Sequence, residues 1–149
     1  MKTALQKLWV TLLAVVSLVA CGSPEPMTDD EATMWVAAYS PERIDMDATI
    51  RIEATDSLMT HLDTTRSLEK VFKFTPSAKG KAHYVDGGRF IDFVPEKGSL
   101  KQGKQYNCRV NMSLLTAIDS LKAFSFDFVV EKRESRLADL RVSIDPDNV

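Results

Sequence analysis

Apolar and polar residues alternate with a period of two through much of the chain. Ile50, Ile52 and Ala54 interleave with Thr49, Arg51, Glu53 and Thr55, and Phe72 and Phe74 flank Lys73. Ile91 and Phe93 flank Asp92, and Tyr106, Cys108, Val110 and Met112 alternate with polar neighbours. The pattern is clearest in Phe124, Phe126, Phe128 and Val130, with Ser125 and Asp127 between them. A period of two places apolar side chains on one face of a strand, and such a face is stable only against another apolar face. Asp86-Gly87-Gly88 separates two strand-like runs, 83–85 and 89–94, as a tight hairpin turn does. Lys97-Gly98-Ser99 and Gln102-Gly103-Lys104 punctuate the next connection, and only 58–62 and 113–121 have a helical look. About seven strands in roughly a hundred residues, with a turn about every ten, predict an all-β fold: one antiparallel immunoglobulin-like β-sandwich over 33–132 with a single core. The expected inward set is Ile50, Ile52, Phe72, Phe74, Ile91, Phe93, Tyr106, Val110, Phe124, Phe126 and Phe128.

The N-terminal pattern is different. Residues 8–20 are apolar apart from Thr11 and Ser17, follow Lys2 and Lys7, and close on Leu18-Val19-Ala20-Cys21. That core has the length of a signal peptide, about 7–15 residues, and is shorter than the roughly 20 needed to span a bilayer. The small residues before Cys21 form a lipobox, so the reading is a signal peptide over 1–20, cleavage, and a lipid on Cys21. An uncleaved anchor with a chance cysteine is the alternative, and charge, core length and exit sequence all favour processing. Two or three acyl chains, at about 0.8 kcal/mol per buried methylene, hold a protein on a membrane essentially permanently. Gly22 in place of aspartate favours the outer membrane under the enteric sorting rule, hence a cell-envelope protein facing the periplasm or the surface. Pro24, Pro26, Asp29, Asp30 and Glu31 suggest a solvated, disordered tether from Cys21 to residue 32, reaching at most about 40 Å. The acidic trio matches no calcium-loop spacing.

The net charge of −2 becomes −4 once Lys2 and Lys7 are removed, which gives no electrostatic reason to expect nucleic acid. There are two cysteines, and with Cys21 lipidated Cys108 has no partner in the chain, so no disulfide framework is expected. Alternation puts Cys108 on the apolar side, as an inert thiol. The two histidines, His61 and His83, lie in no nucleophile or metal motif. With no C-x-x-C, phosphate-binding glycine loop or paired-carboxylate signature, neither enzyme activity, a cofactor, a metal nor a small-molecule substrate is expected. Lysines 79, 81, 97, 101 and 104 gather near turns without interleaved aromatics and read as solvated turns. Trp35 and Tyr84 with Arg89 are candidate contacts for a partner, although each aromatic reads first as core or edge packing.

After Val130 comes a charged connector, Glu131-Lys132-Arg133-Glu134-Ser135-Arg136, and then Leu140-Arg141-Val142-Ser143-Ile144-Asp145 alternates again. Residues 133–149 are thus a linker and the first strand of a following domain, or else a terminal edge strand of the same sandwich.

Three runs carry a family resemblance: Phe72-Lys73-Phe74-Thr75-Pro76-Ser77-Ala78-Lys79-Gly80, then Ile91-Asp92-Phe93-Val94-Pro95, then Leu100-Lys101-Gln102-Gly103-Lys104-Gln105-Tyr106. Their order resembles the N-terminal macroglobulin-like domain of bacterial alpha-2-macroglobulins, in particular those of Bacteroidetes, over about 33–132. The resemblance implies an anchored lipoprotein whose later domains inhibit endopeptidases by a conformational trap. The family's bait region and Cys-Gln thioester are missing; residue 111, where a Cys-x-x-Gln starting at Cys108 would need glutamine, is asparagine. The chain is therefore expected to tether and space such an inhibitor, with the membrane as partner through its lipid and proteases as partners through downstream domains. The alternative is a stand-alone Ig-like lipoprotein that binds a protein or glycan.

Overall fold

A computed structural model of the protein describes residues 25–132. The expected lipidation site Cys21, the expected signal peptide and the connector with its alternating run over 133–149 lie outside the described residues.

The chain order is α1 (Asp29–Trp35), β1 (Val36–Tyr39), β2 (Arg43–Ile44), β3 (Ile50–Ala54), α2 (Asp56–His61), β4 (Phe72–Thr75), β5 (Gly80–Val85), β6 (Phe90–Pro95), β7 (Gln105–Val110) and β8 (Phe124–Val130). The strands form two four-stranded sheets, β1-β3-β6-β5 and β2-β8-β7-β4. Without β2, the two orders are those of a constant-type immunoglobulin sandwich. The fold is thus the all-β, Ig-like sandwich that the alternation predicts, with eight strands. The additional one is β2, whose two residues pair parallel to Val129 and Val130 while the other strand pairs are antiparallel.

The core is built as the period requires. Residues of β3 and β6 meet in register, Ile50 opposite Phe93 and Ile52 opposite Ile91, and all four are buried. They face Tyr106, Cys108 and Val110 of β7 and Phe124, Phe126, Phe128 and Val130 of β8, also buried. The rings of Phe74 and Phe93 join the two sheets with centroids 4.6 Å apart, and Tyr106 stacks on Phe128 at 5.6 Å. Phe72 is only half-buried because β4 is an edge strand. The ends of the sandwich are closed by apolar residues from outside the strands, among them Leu58, Val71, Leu100, Met112 and Leu115.

Of three local outcomes, the first follows the sequence pattern and the other two depart from it. The hairpin between β5 and β6 turns through Asp86, Gly87 and Gly88, with φ of 50°, 65° and 99°. The positive φ of Gly88 calls for glycine, and a Cβ there would also press on the tip of the Leu62 side chain. The run 113–121 is not a helix beyond the short 3-10 turn Met112–Leu114. The Thr116 hydroxyl binds Met112 O and the Ile118 N–H, a local side-chain competition with helix propagation. Finally, the tether expected to run to residue 32 is ordered from Glu25 onward. Thr28 and Glu31 make a reciprocal capping box that starts α1, and Ala32 is buried.

Candidate functional site

The two poles of the sandwich differ. Ala123, at the head of β8, is bridged by Pro26, with Met27 N–H donating to Ala123 O at 2.8 Å and Ala123 N–H donating to Glu25 O at 3.3 Å. This pole also carries α1, α2 and the 86–88 turn. Lys132 follows the far end of β8, beside the turns at Gly98 and Gly103. The described chain therefore enters at one end of the long axis and leaves at the other.

At the entry pole the segment is fixed by charge as well as by backbone pairing. Lys122 Nζ donates to both carboxylate oxygens of Glu31, at 3.0 and 3.2 Å. The Thr28 N–H and then Lys122 hold the Glu31 carboxyl below its ordinary range, and Glu31 in turn raises Lys122. Nearby, Asp63 accepts from the Thr65 hydroxyl at 2.6 Å and from the Thr65 N–H, and these bonds, together with Arg66, lower its pKa.

The proposed contact residues are occupied structurally. Trp35 is half-buried and meets His61 edge-on, with centroids 5.8 Å apart. Tyr84 donates its hydroxyl to Asp63 O at 3.3 Å, and burial is the main reason its pKa is raised. Arg89 donates from Nη1 to Ala54 O and to Asp56 Oδ1. Cys108 is a free, fully buried thiol whose pKa burial drives far up, which makes it a poor nucleophile.

The most developed polar group lies elsewhere, on the outer face of the first sheet. Arg51 and Asp92 are cross-strand neighbours, and the guanidinium donates from Nε and Nη2 to the two carboxylate oxygens, each at 2.7 Å. The Arg51 side chain is 48% exposed and the Asp92 side chain 5%. The same guanidinium lies over the Phe90 ring at 4.7 Å. His83 is the Cα partner of Asp92 from β5. This row is a fixed ion pair rather than a reacting centre: every charge-bearing atom of Asp92 is already engaged. On the other sheet, Arg109 Nη2 is buried without a hydrogen-bond partner, and nothing in the structure explains it.

Two of the surface concavities are open clefts at sheet edges. One of about 370 Å³ lies between β4 and β5, floored by Leu68, Phe72, Ala82 and Phe93. Another of about 310 Å³ follows the β8 edge, where the exposed Tyr39 ring packs on Phe124 and Phe126 at 5.1 and 4.9 Å. Among the described residues, no group of three or more His, Cys, Asp or Glu is placed to hold a metal ion. No helix among them is long and apolar enough to cross a membrane.

No protein-family model and no curated protein matches the chain. Among solved structures, it is similar to the crystal structure of L,D-transpeptidase 3 from Mycobacterium tuberculosis in complex with a faropenem-derived adduct. The identity is 15% and the TM-score 0.40, and the match covers 67% of this chain and 39% of that chain.

The ion pair and the docked entry segment were both missed by alternation. A signal for the second was present: Thr28-x-x-Glu31 has the capping-box spacing, and the acidic first turn of α1 suits the positive end of a helix. No comparable signal exists for Arg51–Asp92, because a solvent-side Arg and Asp 41 positions apart become neighbours only through strand register.

Proposed function

We propose that this chain is a non-catalytic, lipid-anchored spacer of the cell envelope, attached through Cys21 and serving as the N-terminal domain of an alpha-2-macroglobulin-like endopeptidase inhibitor. The observation that carries the reading is the placement of the chain's entry and exit at opposite ends of one rigid sandwich. A domain strung this way transmits position from an anchor to whatever follows it. The structural contacts that Tyr84 and Arg89 already make and the inert Cys108 favour a structural role over chemistry.

The β4–β5 cleft favours a second reading, a stand-alone lipoprotein that seats an extended segment of a partner protein at its sheet edge. The two are separated by immunoblotting the native product and reading the frame beyond the Val149 codon. A large product with further β-domains supports the inhibitor, and a small product ending near Val149 supports the binder. Anchoring is tested by Cys21→Ser: the variant is expected to leave the membrane fraction for the soluble one, and retention on the membrane would overturn the lipid reading.

A further inference from the structure

We infer that the pole bearing Glu25, α1 and α2 is the membrane-facing surface of the domain, held close to the lipid by its docked N-terminal segment. The inference rests on the reading of Cys21 as the lipidated residue. A free tether from residue 21 to residue 32 would reach about 40 Å and leave the sandwich without a preferred orientation. Docking of 25–32 removes most of that reach. Only four Cα–Cα steps separate Cys21 from Glu25, at most about 14 Å when fully extended.

Independent contacts keep the segment down. The Pro26–Ala123 bridge ties it to β8, the Glu31–Lys122 pair ties α1 to the chain just before β8, and Met27 and Trp35 pack against the core while Ala32 is buried. Peeling it away would require breaking the bridge and the ion pair and exposing apolar surface together. The pole itself offers no lysine-rich attraction to anionic headgroups: Asp29, Asp30 and Asp56 are exposed there, while Lys97, Lys101 and Lys104 are exposed at the opposite end. Nearness to the membrane is therefore set by chain length rather than by charge. The exit at Lys132 is displaced from this pole by the length of β8, about 23 Å for seven residues, and so points away from the lipid.

The test uses the full lipidated protein in phosphatidylcholine vesicles carrying a headgroup-linked energy acceptor. Donor dyes are placed by Met34→Cys on α1, which is 59% exposed, or by Lys104→Cys at the far turn. The unsubstituted protein serves as the blank, since Cys108 is buried. Transfer from position 34 is expected to exceed that from position 104 several-fold. An insertion of about twelve Gly/Ser residues after Ser23, which leaves the sandwich untouched, is expected to abolish the difference. Equal transfer from both positions in the uninserted protein overturns the inference, and so does a difference that survives the insertion. Flotation of the vesicles separates the two levels. Protein that fails to float overturns the anchoring reading and the inference together, whereas protein that floats with equal transfer overturns the inference alone.

Discussion

At the residue scale, Arg51 and Asp92 form an unequal partnership. Removing the arginine strands a carboxylate that is almost fully buried, whereas removing the aspartate leaves a guanidinium that is half in water and still rests on Phe90. Leaving a buried charge without its partner typically costs about 3–5 kcal/mol, and exposure of the partner lowers such figures. Arg51→Ala is therefore expected to destabilise by about 2–3 kcal/mol and Asp92→Ala by clearly less. Urea unfolding of both variants measures the order. Equal losses, or a larger loss for Asp92→Ala, would show that the pair does not depend on the burial of its acid. Cys108 behaves differently because its environment is wholly apolar. Its thiol is expected to resist alkylating reagents in the native protein and to react once urea unfolds the chain; rapid native labelling would mean that the β7–β8 core opens readily.

At the element scale, the legible parts of the fold are those whose faces differ. β3, β7 and β8 alternate because one side meets the core and the other meets solvent, and that difference is written residue by residue. β2 is illegible because two residues cannot show a period, and its pairing with β8 is set by where the chain turns after Pro41. The run 113–121 carries enough apolar residues to suggest a helix, yet Leu115 O is taken by the Asp63 N–H and Leu62 bridges Thr116, so tertiary contacts win over local preference. For α1 the composition misled, since three acids in a row suit solvent and a helix's first turn equally well.

That helix gives a pH prediction. Glu31 titrates below its ordinary 4.5 in the folded protein and Asp63 below its ordinary 3.8. The native state thus binds fewer protons than the unfolded chain just below those values. The stabilisation is complete above the ordinary values and is lost as the pH falls through the lowered ones. Glu31→Gln is expected to melt below the wild type at neutral pH, and the gap is expected to close as the pH falls through the lowered Glu31 pKa. A melting-temperature gap that stays constant over that range would show that Glu31 contributes through something other than its charge.

At the scale of the whole molecule, a single core organises everything described. The sandwich was legible because most of its strands alternate in the sequence. Its long-axis polarity was not, because the pairing of Pro26 with Ala123 joins residues far apart in the chain by backbone bonds that leave no side-chain signature. The proposed spacer role rests on that polarity, and the role requires an anchor. Mass spectrometry of the N-terminal peptide of the native protein tests this most directly. The expected result is a chain that begins at Cys21 and carries the added mass of acyl groups on that residue. An unmodified Cys21, or a chain that still carries residues 1–20, would contradict the account.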